Sequence, residues 1–369
     1  MVQNVLCRSN GNDSMRECEY GNGGYGKSWR LIENREHRYV KSDYYFLTLF
    51  SYGINSMKKL SLIALVLALV SCQEKSAYVF SYFDTIHQEA GLCLAYSYDG
   101  YHWTALNGNK PVLAPTVGED KLMRDPSICL APDGTFHMVW TTSWHDDIIG
   151  YASSPDLIHW SEQKAIYVMK DFPSVRNCWA PELFYCREEG LYYILWASVV
   201  PDSEEVDRSG SEKEPGGGHR VYCTTTSDFE NFSPTRLYFN SPYTSIDAAV
   251  VQDPRTKEYI MVIKDDPEYI DMHVTRTRSM AEGFPTKMVS TIHDGDNKEG
   301  PSPLFLNRTD LIVFFDRYMK HSYGAVLSRD HGDTWEDVSS QIDMPEGMSH
   351  GTAIRVSRKV VDKLKCAWQ

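Results

Sequence analysis

Positive charge is scarce in this sequence, which has 37 lysines and arginines but 50 aspartates and glutamates among 369 residues, a formal net charge of −13. Binding to nucleic acid needs a basic face, so this balance argues against a nucleic-acid partner. The sequence also lacks a glycine-rich phosphate loop and a Cys/His cluster with the spacing of a metal site. These absences point away from nucleotide-dependent, nucleic-acid-binding and zinc-dependent functions.

Paired cysteine spacing is absent as well, although the chain contains nine cysteines. Cys7 and Cys18 lie in the first part of the chain, and Cys72 ends a signal-like segment. The cysteines that lie in separate strand-like runs are Cys93, Cys129, Cys178, Cys186 and Cys223. We expect most of these to be buried free thiols and not a disulfide or metal framework.

Long apolar runs are also missing from the signal-like segment, whose apolar stretch at residues 60–70 is too short for a membrane-spanning helix. That stretch follows Met57 and two lysines and ends at Cys72, which is typical of a secretory signal peptide. Leu69-Val70-Ser71-Cys72 is similar to the lipobox of bacterial lipoproteins and predicts lipidation of Cys72. An ordinary cleaved signal and a short anchor helix are the alternatives.

This segment divides the chain. We expect residues 57–72 to be a lipoprotein signal peptide and residues 1–56, which precede a complete signal, to be a non-native upstream extension. The mature protein would be exported and lipid-anchored to the outer membrane, on its periplasmic side or at the cell surface. Its contact with the membrane would be through the lipid alone, and we expect it to be a monomer.

Five short motifs, each opening an apolar run, recur along the rest of the chain. They are RDPSI with Asp125, WAPEL with Glu182, SIDAAVV with Asp247, EGPSPLF with Glu299 and SHGTAI with His350. The steps between these five residues are 57, 65, 52 and 51. A repeat of about 50 residues made of short strands is typical of a β-propeller blade. The sequence therefore predicts an all-β, five-bladed propeller over residues 77–358.

The two ends of this region complete each other. Residues 77–83 form a strand with no motif strand before it, and residues 349–356 form a motif strand with no second strand after it. Pairing them builds the fifth blade and closes the ring without free edges. The five motif residues should then converge on the propeller axis. The long polar insertion at 201–219 is expected to be either a binding loop or disordered.

Carboxylates in repeated positions indicate acid/base chemistry on a neutral substrate. Hydrolysis of a glycosidic bond needs a protonated carboxyl that donates to the leaving oxygen and an ionised carboxylate that activates water. Single aspartates at strand ends often cap turns instead. Four acids in equivalent blade positions, Asp125, Glu182, Asp247 and Glu299, are harder to explain in that way.

The motifs resemble those of glycoside hydrolase family 43, over residues 77 to about 356. Members are five-bladed propellers that hydrolyse arabinofuranosides, xylosides and related linkages with inversion at the anomeric carbon. The resemblance implies that Asp125 of "DPS" is the general base and that Glu299 of "EGP" is the general acid. It also implies that Asp247 orients the acid and tunes its pKa.

The resemblance and the neighbouring residues together suggest how a sugar would be held. The expected substrate-binding residues are Glu182, Trp179, Trp144, Arg124, Tyr318 and His350. In some family members the histidine that matches His350 approaches a calcium ion or a water cluster on the axis, so a structural calcium is an open expectation. No other cofactor is required.

The expected substrate is a plant-type polysaccharide or oligosaccharide, cleaved at an arabinofuranoside or xyloside, with exo action. An exo-β-galactosidase of the same fold is an alternative, and so is a catalytically silent glycan-binding lipoprotein. Fructan-hydrolysing propellers also carry an "RDP" motif but need an "NDP" and an "EC" motif, and residues 77–358 contain neither. Mannoside phosphorylases need a basic phosphate cluster that we do not find in the sequence.

Overall fold

The computed structural model describes residues 76–85, 91–265, 270–293 and 295–368, together with two short strands near the start of the chain. Those strands, β1 (Cys7–Ser9) and β2 (Arg16–Cys18), pair in antiparallel fashion. The chain divides into two compact units, residues 1–73 and 74–369. The predicted signal peptide and Cys72 lie outside the described residues. Across the described ranges, no helix is both long and apolar enough to cross a membrane.

The second unit contains five antiparallel sheets of four strands each. Its first three strands, β3 (Ser76–Asp84), β4 (Cys93–Ser97) and β5 (Thr104–Ala105), belong to blade five. Blade one has β6 (Arg124–Leu130), β7 (Phe136–Thr141), β8 (Ile149–Ser154) and β9 (Lys164–Ile166). Blade two has β10 (Trp179–Cys186), β11 (Leu191–Ser198), β12 (Arg220–Thr226) and β13 (Arg236–Phe239).

The remaining blades follow in chain order. Blade three has β14 (Ser245–Gln252), β15 (Tyr259–Asp265), β16 (Met272–Thr277) and β17 (Ser290–Ile292). Blade four has β18 (Glu299–Phe305), β19 (Leu311–Arg317), β20 (Ser322–Ser328) and β21 (Glu336–Asp337). The last strand, β22 (Met348–Ser357), returns to blade five, and the helix α1 (Arg358–Trp368) follows it. Short 3-10 turns lie at Asn107–Asn109, Pro215–Gly217 and Ser339–Gln341.

The ring closes as the sequence predicts. β22 pairs with β3 in antiparallel register, with Ala353 opposite Phe80, so blade five is built from both ends of the unit. The apolar core lies between neighbouring blades: Phe80 and Trp103 of blade five, for example, pack edge-on against Phe314 of blade four. The prediction of an all-β, five-bladed propeller closed by its terminal strands is confirmed.

Each inner strand carries a β-bulge at its start, and this bulge sets the direction of the motif side chains. The first unpaired residues of the five bulges are Asp125, Ala180, Asp247, Gly300 and His350, and a second unpaired residue follows in every bulge except that of His350. The first four have left-handed backbone, with φ of 52°, 46°, 57° and 61°. Asp125 and Asp247 are therefore equivalent.

The prediction that four acids, Asp125, Glu182, Asp247 and Glu299, occupy equivalent blade positions is wrong. Glu299 lies one residue before the bulge position of its strand, and Glu182 lies two residues after it. The motifs look alike in sequence because each has a proline or small residue near an acid, but a shift of one residue along a strand turns a side chain to the opposite face.

Candidate active site

Asp125 occupies the bulge of β6 and is held by two neighbours. The hydroxyl of Thr141 donates to its Oδ2 at 2.8 Å, and Nδ1 of His350 lies 3.3 Å from its Oδ1. Burial alone would raise the pKa of Asp125, but the hydrogen bond and charge of His350, the charge of Arg124 and the Thr141 bond together lower it below its usual range. Asp125 is therefore ionised at neutral pH.

Glu299 shows the opposite behaviour. Burial and, next, the negative charge of Asp247 raise the pKa of Glu299 to about 7. Asp247 is fixed next to it, because its Oδ2 accepts a hydrogen bond from the Gly300 amide at 3.0 Å. The site thus combines one carboxylate that stays ionised with one carboxyl that holds a proton close to neutral pH.

Gly300 makes this arrangement sterically feasible. Its φ of 61° is in the left-handed region, and a Cβ atom on it would lie 2.5 Å from the His350 ring. The glycine of the "EGP" motif is therefore required by both backbone conformation and space, which lets the histidine approach the acids.

His350 links the two aspartates of blades one and three. Its Nδ1 lies 3.3 Å from Asp125 Oδ1 and 4.0 Å from Asp247 Oδ1. Burial alone would lower the pKa of His350, but the charges of Asp247 and Asp125 and the bond to Asp125 raise it to about 9. The ring is an imidazolium at neutral pH and balances the two aspartates electrostatically.

These residues do not fit a calcium ion bound directly by His350. Calcium takes six to eight oxygen ligands, and an imidazole ring offers only nitrogen atoms. Within the part of the chain that the structure describes, no group of three or more His, Cys, Asp or Glu side chains is arranged to hold a metal. Calcium elsewhere on the axis stays a prediction, and no chemical step here depends on it.

Glu182 lies deeper along the axis than the other acids and connects three blades. Its Oε2 accepts a hydrogen bond from Ser127 Oγ at 2.8 Å, and its Oε1 accepts one from the Val250 amide at 3.1 Å. Burial raises the pKa of Glu182 to about 7. Glu182 lines an axial cavity of about 220 Å³ whose other walls include Leu183, Val250 and Pro303. A role in substrate binding stays a prediction.

The bond from Val250 to Glu182 is one of a set of equivalent bonds that join the inner strands of neighbouring blades. Ser127 Oγ of blade one accepts the Leu183 amide of blade two at 3.0 Å, and Ser302 Oγ of blade four accepts the Ala353 amide of blade five at 2.8 Å. Between blades three and four the corresponding residues are Ala249, without a side-chain acceptor, and Pro303, without an amide hydrogen. At each of these junctions, the side-chain acceptor of one strand and the amide donor of the next are therefore either both present or both absent.

A row of planar side chains borders the site on blades five, one and two. The Arg124 guanidinium lies 4.2 Å from the centre of the Phe83 ring and 4.8 Å from that of Trp144. Trp144 meets Trp179 edge to face at 5.8 Å, and Trp179 stacks on His219 at 4.9 Å. Trp144 is 45% exposed. Three predicted sugar-contacting residues, Arg124, Trp144 and Trp179, therefore form one continuous wall.

Tyr318 lies on the other side of the site, near Glu299. The Lys264 ammonium lies 4.9 Å from the centre of its ring, and the Asn297 side-chain amide donates to its hydroxyl at 3.3 Å. Lys264 therefore covers one face of the Tyr318 ring, and a sugar could stack only against the other face.

The insertion at 201–219 is an ordered loop and not a disordered segment. Arg208 donates to the carbonyl oxygens of Val200, Pro201, Ser203 and Val206. Arg220 donates to the carbonyl oxygens of Asp207, His219 and Pro242 and to Ser211 Oγ. The two arginines hold the loop against blade two, where its last residue, His219, stacks on Trp179.

Three site residues were missed by reasoning from the sequence: Thr141, Lys264 and Asp316. They lie on second strands, opposite Arg124, Ile246 and Glu299 respectively. A signal was present, because each ends or nearly ends an otherwise apolar run: FHMVWT, YIMVIKD and LIVFFDR. A polar residue at that point must lie at the same edge of the sheet as the motif opposite it.

Several solved structures are similar to the chain at low sequence identity. An exo-β-1,3-galactanase from Phanerochaete chrysosporium is 12% identical, with a TM-score of 0.46, covering 61% of this chain and 53% of its own. An α-L-arabinofuranosidase from Lactobacillus brevis is 17% identical, with a TM-score of 0.44, covering 59% and 72%. A thermostable family-43 glycoside hydrolase is 14% identical, with a TM-score of 0.48, covering 62% and 78%. The chain spans about half of the galactanase.

Sequence comparison identifies the family directly. No curated protein matches the chain significantly. Residues 73–362, however, match the glycoside hydrolase 43-related family, described as "probable glycosyl hydrolase domain". This match covers the whole propeller, including every inner-strand motif. The chain belongs to the glycoside hydrolase family 43-related family.

Proposed function

We propose that the protein hydrolyses the O-glycosidic bonds of plant-type polysaccharides or oligosaccharides by a single-displacement, inverting mechanism. Asp125 is the general base, Glu299 is the general acid, and Asp247 orients Glu299 and tunes its pKa. The observation that carries the proposal is the opposite proton affinity of two carboxyls at one site: His350 keeps Asp125 ionised, whereas burial and Asp247 raise the pKa of Glu299 to about 7.

The chemical step follows from these protonation states. Glu299 gives its proton to the glycosidic oxygen as the bond between that oxygen and the anomeric carbon breaks, and the bonding electrons stay on the oxygen. A water molecule forms the new bond to the anomeric carbon from the opposite face while Asp125 takes one of its protons. Proton exchange with solvent then restores both carboxyls. The imidazolium of His350 favours ionised Asp125 before water is activated.

We place the sugar against the wall of Arg124, Trp144 and Trp179, with Tyr318, His350 and Glu182 as the further predicted contacts. The preferred substrates are arabinofuranosides or xylosides cleaved from the chain end. Exo action is supported by the ordered insertion, because its arginine-held loop fixes His219 against Trp179 at one end of this wall. An exo-β-galactosidase is the alternative, since the galactanase of similar fold acts on a β-1,3-linked galactan.

The substrate and stereochemistry can be tested together. Aryl α-L-arabinofuranosides, β-D-xylosides and β-D-galactosides should be screened, and the anomer first released should be followed by NMR. We expect one of the pentosides to be cleaved and the opposite anomer to form first. A retained anomer would contradict inversion and Asp125 as base. Sugar binding without hydrolysis of any substrate would favour the alternative of a catalytically silent glycan-binding lipoprotein.

We further propose that the enzyme is exported and anchored to the outer membrane by lipid on Cys72, with residues 57–72 as its signal and residues 1–56 outside the native protein. Expression from Met57 with labelled fatty acid tests this proposal. Label should enter the protein, and Cys72→Ser should abolish labelling. Loss of export on starting at Met57 would contradict it. Sedimentation of the mature form tests whether it is a monomer.

A further inference from the structure

Glu299 lies between two charged side chains of opposite sign that no motif revealed. Lys264 on β15 places its Nζ 3.8 Å from Glu299 Oε2, and its side chain is only 3% exposed. Asp316 on β19 is directly opposite Glu299 in the sheet register and is almost completely buried. Both lie on second strands, one in blade three and one in blade four.

Neighbouring groups fix both side chains. Lys264 lies over the Tyr318 ring at 4.9 Å from its centre, and Asp316 accepts a hydrogen bond from the Ser349 hydroxyl. Neither charge can move far from Glu299 without leaving these contacts. The pair is therefore a permanent part of the surroundings of the acid.

We propose that Lys264 and Asp316 are positioning residues that act on Glu299 with opposite sign, and that Lys264 stabilises the carboxylate left on Glu299 when it donates its proton. This inference rests on the proposed role of Glu299 as the general acid. Neither residue needs to touch the substrate to have this effect.

The physical reason is that a general acid works best when its pKa lies near the working pH. Burial, Asp247 and Asp316 all favour the protonated form of Glu299, whereas Lys264 and, to a smaller extent, His350 favour the ionised form. Without Lys264 the acid would hold its proton too tightly as the glycosidic bond breaks. Without Asp316 a larger fraction of the acid would already be ionised at neutral pH.

The test is the pH dependence of kcat/KM for wild type, Lys264→Met and Asp316→Asn on an aryl glycoside with a poor leaving group. We expect the alkaline limb to move up by about one pH unit in Lys264→Met and down by about one in Asp316→Asn. The rate at low pH should fall in Lys264→Met. Lys264→Arg keeps the positive charge and should keep the limb close to its wild-type position.

The chain offers a matched control for the buried aspartate. Asp265 is also buried on a second strand and also accepts a hydrogen bond from an inner-strand serine, Ser245, at 2.7 Å. It is not among the groups with the largest effects on the pKa of Glu299. Asp265→Asn should therefore lose a similar buried bond without moving the limb. Thermal unfolding of all variants separates loss of folding from a change in titration.

Two kinds of failure can be distinguished. If the limb persists in Glu299→Gln, Glu299 is not the acid and the proposed function itself is wrong. If the limb disappears in Glu299→Gln but stays in place in both Lys264→Met and Asp316→Asn, the proposed function stands and the inference about these two residues is overturned. A limb that moves equally in Asp265→Asn would also overturn it, because the effect would then not be specific.

Discussion

Asp125 and Asp247 occupy the same position in two different blades, each within a β-bulge and each with left-handed backbone, at φ of 52° and 57°. The same local geometry turns both carboxylates towards His350, which lies 3.3 Å and 4.0 Å from them. Their functions differ because their other neighbours differ. Asp125 accepts a hydrogen bond from a threonine hydroxyl, whereas Asp247 accepts one from the amide next to Glu299.

Asp247→Asn should lower the pKa of Glu299, since a negative charge that raises it is removed. The alkaline limb of the rate profile should move to lower pH, because more Glu299 is then ionised at any given pH. Activity at neutral pH should fall, but less than in variants of Asp125 or Glu299. A pH profile of kcat/KM checks this, and an unchanged limb would contradict the tuning role.

Thr141→Val should raise the pKa of Asp125, because the hydroxyl that stabilises its ionised form is lost. The acid limb of kcat/KM should then move up by a few tenths of a unit to about one unit. Thr142→Val is the control, since the Thr142 hydroxyl donates to Asp146 at 3.3 Å and not to Asp125. Equal profiles for the two variants would rule out this role of Thr141.

Gly300→Ala should abolish most activity and destabilise the fold. Left-handed backbone costs a non-glycine residue roughly 1–2 kcal/mol, and the new Cβ would meet the His350 ring at 2.5 Å, which adds about 1–3 kcal/mol of overpacking. Gly108→Ala is a matched control, because Gly108 also has φ of 61° but a Cβ atom added there would meet nothing within 4 Å. Chemical denaturation should show a clearly larger loss for Gly300→Ala, and equal losses would contradict the steric argument.

Glu182→Gln should reduce the pH dependence of stability. The folded-state pKa of Glu182, about 7, is above its unfolded value, so its favourable contribution is present at low pH and is lost as pH rises through 7. A glutamine side chain does not titrate, so its contribution to the free energy of unfolding does not change with pH. Between pH 4 and pH 8 the free energy of unfolding should fall by about 3 kcal/mol more in wild type than in the variant.

The control for that measurement is the exposed residue Glu212, whose change to Gln alters charge without altering a buried bond. Similar pH slopes in wild type and Glu182→Gln would show that Glu182 is not a buried titrating group. A large rise in KM with unchanged stability would instead favour the predicted contact with substrate.

The sequence repeat predicts the fold well because each repeat corresponds to one blade, and most strands of a blade follow one another along the chain. Blade number and the pairing of β3 with β22 follow from motif spacing and from an unpaired strand at each end. The position of each acid within its strand does not follow, since Asp125 lies within its bulge, whereas Glu299 precedes the bulge of its strand and Glu182 follows that of its own. Lys264 and Asp316 were missed because they reach the acid from second strands and belong to no repeated motif.

The central claim is the division of work between Asp125 and Glu299. Its most direct test compares Asp125→Asn and Glu299→Gln on two aryl glycosides of the same sugar, one with a poor leaving group and one with dinitrophenolate, which hardly needs protonation. Both variants should be almost inactive on the first substrate. On the second, Glu299→Gln should recover much of the wild-type rate and Asp125→Asn should not. Equal recovery of both variants, or recovery of Asp125→Asn alone, would contradict the assignment.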